Sequence, residues 1–153
     1  MSTPADQDQS FRKADWPFYW LTRASARYLQ HMEVALKAIG LDVPRWRVLM
    51  SIHESGCASV SEIADQAIVK LPTMTKIVQR MQLDGLVICR PRATDARVTE
   101  VLLTPAGLIA RQQAWNEADR IYQRAFGAMA DKDIAKLNQL LTRVFDNLEI
   151  GGA

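Results

Sequence analysis

Between Leu21 and Ile39 the apolar positions Leu21, Tyr28, Met32, Leu36 and Ile39, with Ser25 among them, recur at steps of three and four. That is the helical period. Asp15 stands where a helix cap would, Pro17 suits the first turn, and Gly40 ends the helix. Asp42 and Pro44 open a second helix with Trp46, Leu49, Met50 and His53 on one face, stopping near Gly56. In "SVSEIADQAI", Ser59 and Glu62 have the spacing of a capping box, so a short helix follows with Ile63, Ala64 and Ala67 inward. "VKLPTMTKIVQRMQLDGL" carries Pro72 near its start and an apolar stripe of Met74, Ile77, Val78 and Met81, and Gly85 closes it. Thr73, Thr75, Lys76, Gln79 and Arg80 lie off that stripe. Two short helices joined by a brief turn, the second basic on its outer face, describe a helix-turn-helix.

The period then changes. "LVICR" (86–90) and "VTEVLL" (98–103) suit strands, and the seven residues between them, "PRATDAR", read as the tip of a hairpin. Thr104-Pro105 caps a long helix containing Leu108, Ile109, Trp115, Ile121, Tyr122 and Phe126. Asp131 caps the last helix, whose Ile134, Leu137, Leu140, Leu141, Val144 and Leu148 form one apolar stripe. The predicted fold is mainly α with a small β-hairpin wing, a winged helix-turn-helix. Residues 1–14 read as a polar arm and 15–150 as a single domain, with the winged helix at about 42–103. The helices at 15–40 and 104–148 carry more apolar surface than a small DNA-binding core needs. Such surface needs a partner, and a second copy of the chain is the expected one. Intramolecular packing of those helices is the competing expectation.

Composition changes this picture little. The 153 residues fit one domain, with 48% apolar and 24% charged side chains. No apolar run is long enough to span a bilayer, and the polar start has no signal-peptide core, so a cytoplasmic protein without a membrane partner is expected. Two cysteines, Cys57 and Cys89, make no disulfide framework. Charge distribution says more than the net +2: residues 70–97 hold six basic against two acidic side chains, +4, leaving −2 elsewhere. A nucleic-acid footprint has this form.

A helix in the major groove would present Thr73 and Thr75 to bases or phosphates, and Lys76 and Arg80 to guanine or phosphate. Lys70, Pro72 and Gln79 belong to the same helix end and outer face. The hairpin would lie along the minor groove, whose negative potential attracts an inserted arginine. Arg97 is that arginine, Asp95 would hold its guanidinium extended, and Arg90 and Arg92 would add phosphate contacts.

"DARVTEVLLTPAG" resembles the wing signature of the MarR family of bacterial transcription regulators: Asp-x-Arg, a strand, then Leu-Thr-x-x-Gly at Leu103 to Gly107. "SEIADQAIVKLPTMTKIVQRMQLDGLV" is similar to the family's helix-turn-helix and "PRWRVLMSIHE" to its second helix. The resemblance spans about residues 15–148. It implies a homodimer built from the first and last two helices and bound to a pseudo-palindromic operator of its own or a neighbouring operon. It also implies repression relieved by a small aromatic acid. Lys70 and Pro72 depart from the capping Ser and the polar residue many members carry there, so the recognition helix starts differently.

For that effector, Trp16, Tyr19, Trp20, Arg23 and Arg27 share one face of the first helix, and Arg45 and Trp46 open the second. Rings stack on a flat ligand and an arginine binds its carboxylate bidentately. His53 or His31 could add a hydrogen bond. Arg23 resembles in position an arginine used by regulators of aromatic-acid catabolism. Hydroxycinnamates, benzoates and indole-acetate-like auxins are the candidates. The same aromatic face could instead be core or dimer interface. Rival readings are redox sensing through Cys57 or Cys89 and a winged-helix protein-interaction module. A metal at His53 and Cys57 lacks ligands, since the chain has two His and two Cys and zinc wants four. No cofactor is expected. Hydrolase, P-loop, dinucleotide and metalloprotease motifs are absent, so no enzyme is expected.

Overall fold

The structure, a computed structural model, describes residues 11–151; the expected arm falls outside it as far as residue 10. A 3-10 turn at Lys13–Asp15 precedes α1 (Pro17–Ala38) and α2 (Val43–His53). Strand β1 (Cys57–Ser59) is followed by α3 (Val60–Ala67), α4 (Leu71–Leu83), β2 (Val87–Arg92) and β3 (Asp95–Leu103). The chain closes with α5 (Pro105–Phe126) and α6 (Asp131–Asn147). Among the described residues no helix is long and apolar enough to cross a membrane. The chain forms two compact units, one ending at Ala118 and one starting at Asp119.

In the first unit the stripes of α1 to α4 meet. Met32 and Leu36 of α1, Val48, Leu49 and Ile52 of α2, Ile63 of α3 and Met74, Val78 and Met81 of α4 are buried with Val87 and Val101 of the sheet. Each such side chain contributes roughly 1.5–3 kcal/mol when fully buried. The stripe of α2 differs from the expected one: Trp46 and Leu49 are buried, but Ile52 takes the inward place and His53 is exposed. In α1 burial stops at Met32, and the turns around Trp16, Trp20 and Tyr28 face solvent.

The caps explain where helices begin. Asp42 accepts a hydrogen bond from the Arg45 N–H at 3.0 Å, and Ser59 and Glu62 form both halves of their capping box. Two expected caps are corrected. Asp15 lies in the 3-10 turn, and Trp16 caps α1 without a side-chain bond. Asp131 is already the first residue of α6; Ala130 precedes it, and the acid can only favour the helix dipole.

The sheet has three strands in the order β1-β3-β2, all antiparallel, where a two-stranded hairpin was expected. The third, Cys57–Ser59, is too short to show alternation in a sequence. The wing also differs at its tip. The strands run to Arg92 and from Asp95, and the register slips from Pro91 opposite Thr99 to Arg92 opposite Asp95. Pro91 has no N–H for the ladder and sits on an edge strand, where proline is tolerated. The slip leaves Ala96, Arg97 and Val98 bulged from β3.

One junction fixes the wing's base to α5. The Thr104 hydroxyl donates to the Gly85 carbonyl at 2.6 Å and accepts from the Gly107 N–H at 3.0 Å, so it caps α5 and ties it to the end of α4. A Cβ on Gly107 would run into the Leu86 carbonyl oxygen. Only glycine lets the helix approach this closely.

In the second unit the end of α5 stacks Tyr122 on Phe126 at 5.2 Å, and α6 buries no residue fully. Its apolar stripe is half-buried at Ile134, Leu137, Leu141 and Val144 and exposed at Leu140 and Leu148.

Candidate nucleic-acid interface and effector cavity

The helix expected to be the recognition helix is α4. Its N-cap, Lys70, makes no side-chain capping bond, and Pro72 stands in the first turn, where its missing N–H costs nothing. Gly85, at φ +76°, ends the helix in the left-handed region, as the sequence predicts. With Met74, Val78 and Met81 buried, Pro72, Thr73, Lys76, Gln79 and Arg80 are exposed. Thr75 is half-buried, and its hydroxyl donates to the Leu71 carbonyl at 2.9 Å.

Arg97 stands on the bulge with its side chain 91% exposed. Asp95 accepts from its backbone N–H and its Nε, both at 3.1 Å, and from Nη2 at 3.2 Å. The carboxylate therefore fixes backbone and guanidinium together. Hydrogen bonds from Arg97 hold the Asp95 carboxyl below its ordinary range, so it stays ionised. As a surface ion pair this contributes little stability. Its effect is to restrict an arginine that would otherwise be free to rotate. A cleft of about 410 Å³ brings Thr75 and Gln79 of α4 together with Arg97 and Thr99 of β3, with Cys89 also on its wall.

Arg90 and Arg92 are engaged elsewhere. Glu100, directly opposite Arg90, is nearly buried; it accepts from Arg92 Nε at 2.9 Å and from Arg90 Nε at 3.3 Å. Arg92 Nη2 also reaches Glu62 at 3.0 Å. These bonds from Arg92 and Arg90 lower the Glu100 pKa, while the Ser59 backbone and Arg92 lower that of Glu62. The capping residue of α3 is thus braced to the wing. The two acids were not anticipated as partners of the wing. Glu62 showed itself only as a cap, and Glu100 only as one polar residue in an apolar strand.

A second space, of about 890 Å³, opens between α2, the end of α3 and α5. Trp46, Arg47, Met50, His53 and Glu54 line one side, Gln66 and Ile68 the rim, and Arg111, Gln112 and Trp115 the other. Of the expected effector residues, Trp46 and His53 are on this wall; Trp16, Tyr19, Trp20, Arg23, Arg27 and Arg45 are not. Arg45 is turned to Asp84, its Nη2 2.8 Å from a carboxylate oxygen. Arg23 lies over the Tyr19 ring at 5.1 Å, and Trp20 donates to the Ala14 carbonyl at 2.9 Å. Those rings pack locally: Tyr19 on Trp20 and Trp16 on Phe11 and Phe18. Arg111 and Trp115, four residues apart on α5, were missed because they sit in a helix read only as a dimerisation element.

Ile68 caps α3 at φ 54° and is 80% exposed. A β-branched residue in the left-handed region is strained, and such strain collects at turns and binding sites. Both cysteines are free and half-buried, and burial pushes the Cys89 thiol up, away from thiolate chemistry. Among the described residues no group of three His, Cys, Asp or Glu could hold a metal.

The sequence model of the MarR family matches residues 41–99. The HTH-type transcriptional repressor IacR of Pseudomonas putida is 49% identical over 139 residues, covering 91% of this chain and 83% of that protein. CouR from Rhodococcus jostii RHA1, solved bound to p-coumaroyl-CoA, superposes with a TM-score of 0.82 at 21% identity, covering 88% of this chain and 95% of that one. BpsR of Bordetella bronchiseptica, whose DNA binding is regulated by 6-hydroxynicotinic acid, gives 0.76 at 20% identity, covering 89% and 97%.

Proposed function

The chain belongs to the MarR family of DNA-binding transcriptional regulators, and we propose that it represses its own or a neighbouring operon until an aromatic carboxylic acid enters the cavity between α2, α3 and α5. The observation that carries the DNA reading is the Asp95-held Arg97 beside the outer face of α4. In this reading α4 enters the major groove, and Thr73, Thr75, Lys76, Gln79 and Arg80 meet bases and phosphates. Arg97 enters the adjacent minor groove, already extended. Arg92 acts mainly by bracing the wing to α3, and Arg90, more exposed, keeps a role at phosphate.

The protein works as a homodimer on a pseudo-palindrome, because two recognition helices must meet half-sites about one helical turn, ~34 Å, apart. Exposed aromatic residues along α1 and an apolar stripe on α6 of which no residue is fully buried support self-association. The site of action is the cytoplasm, and no catalytic step is involved.

The effector reading rests on the cavity's rings and cations, and is supported by the aromatic ligands of CouR and BpsR. Coupling has a physical route. α2 carries Trp46 and Arg47 on the cavity wall, and its Arg45 holds Asp84 at the C-cap of the recognition helix. An acid that binds one position of α2 better than another shifts the population of DNA-competent dimers. A gel shift on the DNA upstream of the gene tests the function: a complex lost in Arg97→Ala supports it. Equal binding by wild type and Arg97→Ala removes the wing from the interface.

A further inference from the structure

We propose that Arg111 is the anion anchor of the cavity, positioning the carboxylate of a flat aromatic acid between Trp46 and Trp115; this rests on reading the cavity as the effector site. Among the described residues, Arg111 Nε is the one buried side-chain nitrogen or oxygen without a hydrogen-bond partner. An unmatched guanidinium N–H sealed from water is destabilising, and folded proteins rarely keep one without a use. The wall around it offers one carboxylate, Glu54, and that group makes no ion pair with it. With Arg47 on the same wall, the cavity carries two arginines against one acid. An entering carboxylate would draw the Arg111 fork to it and satisfy two donors at once, a geometry lysine cannot copy.

The rings argue for the rest of the ligand. Among the described residues Trp46 and Trp115 stack on no other ring, whereas Trp16, Phe18, Tyr19 and Trp20 at the start of α1 and Tyr122 and Phe126 at the end of α5 do. Trp115 lies one helical turn from Arg111, so a ring lying against it places a one- or two-atom acid arm near the guanidinium. The strained Ile68 at the rim is a second mark of a site held against local preference.

Isothermal titration of the purified protein with indole-3-acetate and its neutral amide tests the assignment. Wild type should prefer the acid by tenfold or more. Arg111→Gln should bind the acid at least tenfold more weakly and the amide unchanged, and still shift operator DNA. Arg111→Lys should recover only part of the acid's affinity. Without ligand, Arg111→Gln should melt no lower than wild type, because it removes an unmatched donor rather than a bond. Equal acid affinity in wild type and Arg111→Gln overturns the anchor, as does a lower melting temperature with both probes weakened. If Trp115→Leu binds both probes as wild type does, or wild type binds neither, the cavity reading itself falls.

Discussion

The wing and the cavity are both built around an arginine, but the two arginines are treated oppositely. Arg97 is almost wholly exposed and has a dedicated partner, Asp95, two residues away. Arg111 lines a cavity and its Nε has no partner. The DNA backbone, in the proposed reading, presents a charge that is always there. An arginine that reads it gains from being held rigid beforehand, since less side-chain freedom is lost on binding. In the proposed reading, the cavity's ligand comes and goes. A cation left unmatched in its absence makes the empty state less stable and the filled state more so, and that difference is what a switch requires.

The largest expected effect strikes the frame both regions share. Gly107→Ala should destabilise the protein by about 3 kcal/mol, because the new Cβ meets the Leu86 carbonyl, backbone that cannot yield cheaply. Urea unfolding checks this; an unchanged midpoint would mean that the α5 junction is loose. Next, Arg97→Ala should weaken operator binding more than tenfold, or about 1.4 kcal/mol. It should lower the salt dependence by roughly one phosphate contact and leave acid binding intact. If both DNA and acid affinity fall together, the two regions are not separable.

Smaller effects sharpen the contrast. Ile68→Gly should stabilise the protein by about 1 kcal/mol, since strain in the left-handed region is relieved and little apolar surface is lost. A lower melting temperature would place Ile68 in the fold rather than at a strained rim. Acid should loosen the wing before it harms the helical core. Glu62 and Glu100 have folded pKa values below their ordinary 4.5, held there by Arg92 and, for Glu62, by the Ser59 backbone. Their stabilising contribution is therefore complete above about pH 4.5 and is lost as pH falls through the lowered values. Glu100→Gln should show a flatter stability profile in that window. A profile identical to wild type would mean that the brace contributes nothing.

The face proposed to meet DNA was the more legible half. Its residues lie within one stretch, 70–97, and the elements there announce themselves locally: an apolar stripe, a closing glycine and an Asp-x-Arg pair, just after the capping box at Ser59 and Glu62. What could not be read was pairing across elements. Arg92 looked like a free phosphate contact because Glu62, thirty residues earlier, and Glu100, across the hairpin, meet it only in the fold. The cavity was harder for the same reason. Its residues come from α2, α3 and α5, and local spacing drew attention to the contiguous aromatic run at Trp16 to Arg23 instead. That run is a helix face whose rings mostly pack on one another. Trp46 was identifiable because an aromatic beside arginines at a helix start is conspicuous; Arg111 was not, because a buried unmatched donor has no sequence signature. Three residues were also too few for β1 to show alternation.

The most direct measurement is operator binding by the purified protein as a function of aromatic acid concentration, on the DNA upstream of its own gene. A tight complex that a hydroxycinnamate, benzoate or indole-acetate dissociates in wild type, and not in Arg111→Gln at the same concentration, is the expected result. A complex that no aromatic acid disturbs would contradict it and leave a DNA-binding regulator whose cavity serves something else.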